Sequence, residues 1–255
     1  MRNLSLALRE VGYANRSFWR NPAAAFFTFV FPLVFMVIFN VIFGGQTSGE
    51  GYTAADFFTP GIIVFSVVTA TYTNIAMTAV FARERGILKG IRGTPLPAWG
   101  YLFGRVVHAV LIAALLVVIV AAFGALFYSV EVPWARLPAL IVTLVLGAAT
   151  LCALGLAVSS AVPNEDAAPA VVNASIFPLL FISNVFIRLQ DPPAWLDIAG
   201  KIFPIRPFAD AMLGIYDPFT TGSGFAWDQL GILALWLVAG VVLTIRYFSW
   251  EPRAR

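Results

Sequence analysis

Residues 83–99 read Arg-Glu-Arg-Gly-Ile-Leu-Lys-Gly-Ile-Arg-Gly-Thr-Pro-Leu-Pro-Ala-Trp, and they separate two apolar runs that are each long enough to cross a bilayer. On a helix, Arg85, Lys89 and Arg92 share one face because they are spaced i, i+4 and i+7. The apolar residues gather on another face; they are Ile87, Leu88 and Ile91. Gly93 and the prolines after it end such a helix. The stretch therefore predicts a short amphipathic helix within residues 83–97, held between two spans.

The composition places the chain in a membrane. Apolar residues make up 60% of the sequence and charged residues 11%, against about 25% charged in a typical soluble domain. So few charges could not cover the surface of a soluble protein of 255 residues. The single cysteine, Cys152, excludes a disulfide framework, and the single histidine, His108, excludes most metal chemistry. His108 is either a packed side chain or part of a pathway or gate.

Six apolar runs predict six transmembrane helices. The first run, Pro22 to Gly44, would be about 34 Å long as a helix, and the hydrocarbon layer of a bilayer is ~30 Å thick. The six predicted spans lie at about 22–44, 57–82, 102–128, 137–162, 169–187 and 226–250. The sequence thus indicates an all-α polytopic membrane protein that forms one transmembrane domain over residues 1–255.

The first 21 residues predict a helix that lies in the membrane interface. Its apolar side carries Leu4, Leu8, Val11 and Phe18, and nearly opposite lie Arg2, Arg9, Arg16 and Arg20. A basic amphipathic helix places its apolar stripe at the headgroup boundary and its arginines toward anionic lipid or a partner. Asn21 and Pro22 then predict the N-cap and first turn of the next helix.

The distribution of Lys and Arg predicts which side each loop faces. With the N-terminus in the cytoplasm, twelve basic residues lie inside and four outside, so both termini are expected to be cytoplasmic. The four outside are Arg136, Arg188, Lys201 and Arg206. Segment 188–225 is then external. Its two short amphipathic stretches, 193–204 and 206–216, predict a helix pair that re-enters or lies on the interface and caps the outer end of the bundle.

No motif in the sequence supplies chemical energy or catalysis. Gly200-Lys201 lacks the upstream glycine of a phosphate-binding loop. There is no Ser-His-Asp grouping, no nucleic-acid-binding signature, and no buried acid of the kind that proton-coupled carriers use. We therefore expect a protein that is not an enzyme, that binds no cofactor of its own, and whose energy enters from outside the chain.

Uncharged polar residues inside two spans have two interpretations. The second span carries Ser66, Thr69, Thr73 and Asn74, and one face of the fifth carries Asn173, Phe177, Leu180 and Asn184. These residues either pack helices together, through bonds of roughly 0.6–2 kcal/mol each, or line a path for an amphipathic molecule. The hydroxyl residues favour packing because they can bond their own backbone. For the asparagines both interpretations stay open.

Three motifs resemble the type-2 ABC exporter permeases, the membrane subunits similar to those of antibiotic-resistance exporters such as the daunorubicin exporter. The first is Glu84-Arg-Gly-Ile-Leu-Lys-Gly-Ile-Arg-Gly-Thr-Pro-Leu-Pro97 after the second span. The others are Thr59-Pro60-Gly61 and Ile202-Phe-Pro-Ile-Arg-Pro-Phe-Ala-Asp-Ala-Met212. The resemblance covers essentially the whole chain. The sequence differs from the family pattern at Arg188-Leu-Gln-Asp191, where such proteins often carry a proline.

The resemblance implies that stretch 83–97 is a cytoplasmic coupling helix seated in a groove of a separate ABC ATPase, which binds ATP and Mg. Its contact residues would be Arg83, Glu84, Arg85, Gly86, Ile87, Leu88, Lys89, Ile91, Arg92, Thr94 and Pro95. Secondary cytoplasmic contacts would come from Arg9, Arg16, Arg20, Glu165 and Asp166. It also implies a second permease subunit, identical or different, and an amphipathic substrate or lipid that leaves a bacterial-type plasma membrane along the second and fifth spans.

Other functions remain open from the residues alone. The basic residues of 83–92 could be a topogenic, lipid-facing surface. The chain could be a self-powered carrier or channel, although the missing intramembrane charge argues against it. It could also be a lipid-modifying enzyme, for which no catalytic grouping is found, or a membrane partner or regulator that transports nothing.

Overall fold

The computed structural model describes residues 2–44, 53–94, 96–186 and 192–251, and this part of the chain is helical with no strand. The helices are α1 (Arg2–Trp19), α2 (Pro22–Phe43), α3 (Ala54–Val68), α4 (Asn74–Glu84), α5 (Ile87–Arg92), α6 (Ala98–Tyr128), α7 (Leu137–Ser159), α8 (Ala168–Phe181), α9 (Ala194–Ile202), α10 (Ile205–Tyr216) and α11 (Trp227–Tyr247). A π-helical turn, Thr69–Thr73, joins α3 to α4, and a 3₁₀ turn, Trp134–Arg136, precedes α7.

Five helical stretches in the described residues are long and apolar enough to cross a membrane. They are α2, the continuous rod Ala54–Glu84, α6, α7 with its 3₁₀ turn, and α11. The remaining predicted span, 169–187, forms a helix only as far as Phe181. With 14 residues, α8 is about 21 Å long, which is less than the ~30 Å of hydrocarbon. Asn184, just beyond it, has a φ of 56°, a left-handed conformation in which a helix cannot continue. Ile187 lies outside the described residues.

Local caps determine where the helices begin. The side chain of Asn21 accepts a hydrogen bond from the Ala24 amide at 3.2 Å, which confirms the predicted N-cap of α2. Thr53 and Asp56 form a reciprocal capping box, with the Thr53 amide 2.9 Å from an Asp56 carboxylate oxygen. Because of this box, α3 begins at Ala54, three residues before the predicted start of the span.

The rod Ala54–Glu84 lies at the centre of the bundle. Of the five membrane-length stretches it has the largest buried share, and it packs against α2, α6, α7 and α10. Its residues Ile63, Val64 and Val67 are fully buried in the main core. This arrangement surrounds the second predicted span with protein on most sides.

Helix α10 is inserted into the bundle and is buried along most of its length. The two predicted short helices do form, as α9 and α10, but α10 packs against α3, α7 and α11. Phe208 of α10 lies over Gly147 of α7, where an added Cβ would come within 2.5 Å of the Phe208 ring. The small residue in α7 therefore leaves room for α10 inside the bundle, so of the two predicted alternatives α10 does not merely lie on the surface.

Helix α1 packs lengthwise on α6 through small residues. Ala7 and Ala14 are buried, whereas Leu8, which belongs to the stripe predicted to lie at the headgroup boundary, is 57% exposed. On α6, a Cβ at Gly104 would lie 2.6 Å from the Glu10 side chain. Close approach of the two backbones therefore selects Ala and Gly at the contact with α6 and leaves Leu8 on the outer side of α1.

The π-helical turn meets α7 at Gly155. A Cβ at this position would lie 2.6 Å from the Tyr72 carbonyl oxygen, so only glycine allows this separation. A π-helical turn adds one residue to the helical ring and rotates the residues that follow it. The contact with Gly155 therefore sets the positions of both the turn and α4 against α7.

We expect Gly155→Ala to lower the free energy of unfolding by about 1–3 kcal/mol, because backbone atoms must move to accept the methyl group. The measurement is thermal denaturation of the detergent-solubilised protein, followed as the monodisperse fraction. Gly231→Ala is the matched control, since an added Cβ in that membrane helix meets nothing within 4 Å. Equal melting temperatures for the two variants would contradict the proposed contact.

Candidate functional site

Three segments that the sequence places in the cytoplasm meet at one end of the bundle. They are the α4–α5 junction, the turn between α7 and α8, and the chain that follows α11. Arg85 pairs with Glu165 of the turn. Arg92 lies 3.6 Å from a Glu251 carboxylate oxygen, and its guanidinium is 5.8 Å from the centre of the Trp250 ring. The structure thus gathers the predicted coupling stretch and Glu165 into one surface.

Arg83 does not belong to that surface. It is the last basic residue of α4 and is only 2% exposed. Its guanidinium donates to the carbonyl oxygens of Ser159 at 3.0 Å and Val162 at 2.7 Å, and its Nε donates to Glu84 at 2.7 Å. These carbonyls lie at the carboxyl end of α7, where a positive charge is favoured. Arg83, predicted as an ATPase contact, therefore fastens α4 to the end of α7, and Glu84 holds its guanidinium in place.

Gly86 divides the helix that was predicted across 83–94. It has a φ of 71° and leaves only the six residues Ile87–Arg92 for α5. Arg85 lies before this break, so Arg85, Lys89 and Arg92 do not share the face of one helix. The helical spacing of the side chains could not predict this break, because the φ angle of a glycine within a helical pattern is known only from the folded chain. Pro95 lies outside the described residues, and Pro97 directly precedes α6.

The apolar residues of α5 separate into an inner and an outer set. Leu88 is fully buried against Ala82 and Tyr101, whereas Ile87 is 51% exposed. Ile91 is intermediate and packs beside the inner cluster. The prediction that Ile87, Leu88 and Ile91 form one exposed ridge is therefore wrong for Leu88. The exposed residues define what we call the α5 surface: Arg85, Ile87, Lys89, Arg92 and Thr94.

Arg85 neutralises the acidic turn. Its Nε lies 3.1 and 3.2 Å from the two Glu165 carboxylate oxygens, and its terminal nitrogen donates to the same group. These hydrogen bonds hold the pKa of the Glu165 carboxyl below its usual value, so the pair stays charged at neutral pH. Asp166 is exposed next to it, and Arg9, Arg16 and Arg20 are exposed on α1.

Two hydroxyl residues of the second span are occupied by their own helix. Ser66 is fully buried and donates to the Ile62 carbonyl at 2.6 Å. Thr69 donates to the carbonyls of Phe65 and Ser66 at 3.1 and 2.9 Å. These bonds support packing for both. Thr73 is half-buried, and Asn74 is exposed beside a small cleft that His108 and Arg105 also line.

The predicted polar face of the fifth span is not one surface. Leu180 is buried, Asn173 is half-buried, and Phe177 is 46% exposed. Asn184 follows the end of α8 and donates to an Asp210 carboxylate oxygen of α10 at 3.2 Å. The prediction that these residues share one face assumes that the helix continues to residue 184. The helix instead ends in a turn after Phe181.

The sequence interpretation missed one polar contact in the interior. The hydroxyl groups of Tyr72 and Ser175 are 2.6 Å apart and link the π-helical turn to α8. If this stretch is placed on a regular α-helix, the Tyr72 side chain is assigned to the wrong face, because the π-helical turn adds a residue to the helical ring. The run Thr-Ala-Thr-Tyr-Thr, which is poor in strong helix formers, was the one available signal of irregular structure.

The described residues form a helical bundle with five membrane-length stretches, which defines a multi-pass membrane protein. Comparison with known proteins gives the family. Residues 11–216 match the ABC-2 type transporter family, and the chain belongs to it. This confirms the resemblance that the three motifs indicated.

Three relatives illustrate the similarity. The chain is 28% identical over 161 residues to the probable multidrug ABC transporter permease YbhR of Escherichia coli K12, a match that spans 63% of this chain and 43% of YbhR. It is 26% identical over 227 residues to the inner membrane transport permease YadH of E. coli K12, covering 83% of each. It is 27% identical over 260 residues to the daunorubicin resistance ABC transporter permease protein DrrB1 of Streptomyces coeruleorubidus, covering 96% of this chain and 86% of DrrB1.

Arg83→Ala and Arg85→Ala should have very different effects on stability. Each bond from the buried Arg83 guanidinium to a carbonyl contributes roughly 1.5–3 kcal/mol, so Arg83→Ala should lower the free energy of unfolding by about 3 kcal/mol or more. The exposed Arg85–Glu165 pair contributes about 0–1 kcal/mol. Thermal denaturation and folded yield in detergent compare the two variants. Similar losses in both would contradict the assignment of Arg83 as the fastening residue.

Proposed function

We propose that this chain is the permease subunit of an ATP-driven exporter, with the α5 surface as the docking site for a separate ABC ATPase. The family match over residues 11–216 carries the proposal. No nucleotide-binding motif is found in the sequence, so ATP and Mg bind to the partner and the ATP hydrolysis takes place there. The printed names of the relatives, multidrug and daunorubicin resistance permeases, support an amphipathic drug-like substrate.

The packing of α5 supports a coupling role. Leu88 fixes its inner side, and Arg83 fastens the end of α4 just before it. Arg92 contacts Trp250 and Glu251, which follow α11. A short helix held in this way passes a displacement of the ATPase to α4, α6 and α11 together. Ile87, exposed and flanked by Arg85 and Lys89, suits an apolar contact in a groove with an acidic rim.

The sidedness of the remaining segments follows from the orientation that the distribution of Lys and Arg predicts. Both termini are cytoplasmic, the membrane is a bacterial-type plasma membrane, and α1 lies in the inner interface. Helix α8, extended by the residues after Phe181, makes the fifth of six crossings. The pair α9–α10 re-enters from the outside, which accounts for the position of α10 between α3, α7 and α11. A second permease subunit and surrounding lipid complete the transmembrane unit.

Ile87→Asp should weaken the complex with the ATPase encoded beside this gene by about tenfold or more, since it places a charge at the centre of an apolar contact. Co-purification and stimulated ATPase activity measure the effect. Ile198→Asp is the control, because Ile198 is similarly exposed, at 57% against 51%, but lies on α9 at the opposite end. Export by the permease without any ATPase would contradict the proposal and indicate a self-powered carrier.

The orientation is tested with two cysteine variants. We expect Thr221→Cys to react with a membrane-impermeant maleimide in intact cells, and Thr94→Cys to react only after the membrane is opened. Both threonines are exposed, one after α10 and one after α5. The native Cys152 is fully buried and should give little background. The reverse labelling pattern would place both termini outside.

A further inference from the structure

An aromatic-lined cavity of about 190 Å³ lies beneath the corner between α9 and α10. Leu151, Leu154 and Val158 of α7 form one wall, and Ile176 and Leu179 of α8 form another. None of the predicted pathway residues lines it.

One part of the cavity lining is a pair of stacked aromatic rings. Phe203, at the corner, stacks on Trp236 of α11, with ring centres 5.8 Å apart and an angle of 22° between the planes. The indole Nε1 of Trp236 donates to the Ile202 carbonyl at 2.7 Å, so its polar atom is already satisfied. The two rings therefore offer the cavity apolar surface in a defined orientation.

Another part of the lining is the polar contact between Tyr72 and Ser175. The Ser175 hydroxyl donates to the Val172 carbonyl at 2.7 Å, so the 2.6 Å bond between the two hydroxyls uses the Tyr72 hydrogen. This chain of bonds leaves the Tyr72 oxygen as an acceptor. A ligand with one hydroxyl or amine group could donate to it.

We propose that this cavity binds one aromatic ring bearing a hydrogen-bond donor, and that such a ring is part of the transported molecule. Apolar cavities of ~150 Å³ in proteins hold benzene and stay free of water, so the volume suits a ring of this size. Because the stacked rings and the single acceptor line the same cavity, they favour a phenol-like group over a plain hydrocarbon chain. The transport part of this inference rests on the proposed function, whereas binding does not.

The probe for this site is a phenol with a para trifluoromethyldiazirine group, photolysed with the purified permease in lipid nanodiscs without any ATPase. Mass spectrometry should find saturable labelling on the cavity walls, at residues such as Leu154 and Leu179. Unlabelled p-cresol should displace the probe at a concentration roughly fivefold lower than toluene, the factor that one hydrogen bond contributes. Tyr72→Phe keeps the ring and should abolish that difference.

Leu154→Trp fills the cavity and should reduce labelling at least tenfold. Ile141→Trp is the matched control on α7, since Ile141 is 56% exposed, lies away from the cavity and should leave labelling unchanged. If Leu154→Trp does not fold, Tyr72→Phe still tests the site. Unsaturable labelling spread over lipid-facing residues would overturn the proposal, as would displacement by dodecane as effective as that by p-cresol, which would indicate a lipid acyl chain. Specific binding without ATPase-dependent export would preserve the site and refute the exporter function.

Discussion

The contact between the Tyr72 carbonyl and Gly155 determines how the central rod lies against α7. Because glycine has no side chain, the backbone of the π-helical turn reaches the backbone of α7, and any larger residue would separate them. The turn also changes the rotation of everything that follows in the rod. The Tyr72 side chain is thereby directed to Ser175 of α8, and Arg83, further along, to the carboxyl end of α7.

One helix thus connects the two functional proposals. The eleven residues from Tyr72 to Arg83 span about 16 Å of helix. Near its middle the rod contributes Tyr72 to the cavity lining, and near its end it is fastened by bonds from the buried Arg83 guanidinium. Because those bonds are buried and that from Arg85 is exposed, the proposed coupling predicts that a displacement of α5 is transmitted mainly through Arg83. Movement of α4 against α7 would change the cavity that Tyr72 lines.

The sequence was sufficient for the elements that depend on local chemistry. Five of the six predicted spans correspond to membrane-length stretches in the described residues, and the Asn21–Pro22 pair predicted the start of α2, because span length and caps are set by neighbouring residues. The position of α10 was not predictable in this way. Its charged residues suggested a surface helix, yet Arg206 is largely buried, 2.8 Å from Asp197 and 3.6 Å from Asp210. Such pairing permits burial, and no local pattern reveals it.

Polar residues within the spans were likewise a poor guide to where a ligand could bind. The substrate path was predicted from polar side chains, because an amphipathic molecule was expected to need polar partners. Inside a membrane protein, however, a Ser or Thr hydroxyl bonds the preceding turn of its own helix, as Ser66 does, and then has little to offer a ligand. A cavity arises instead where helices cannot meet. Here the corner between α9 and α10 places Phe203 beside Trp236, so the space that it bounds with α7 and α8 is lined mostly by apolar and aromatic residues. Interrupted helices, more than polar stripes, therefore indicate where this fold can receive a ligand.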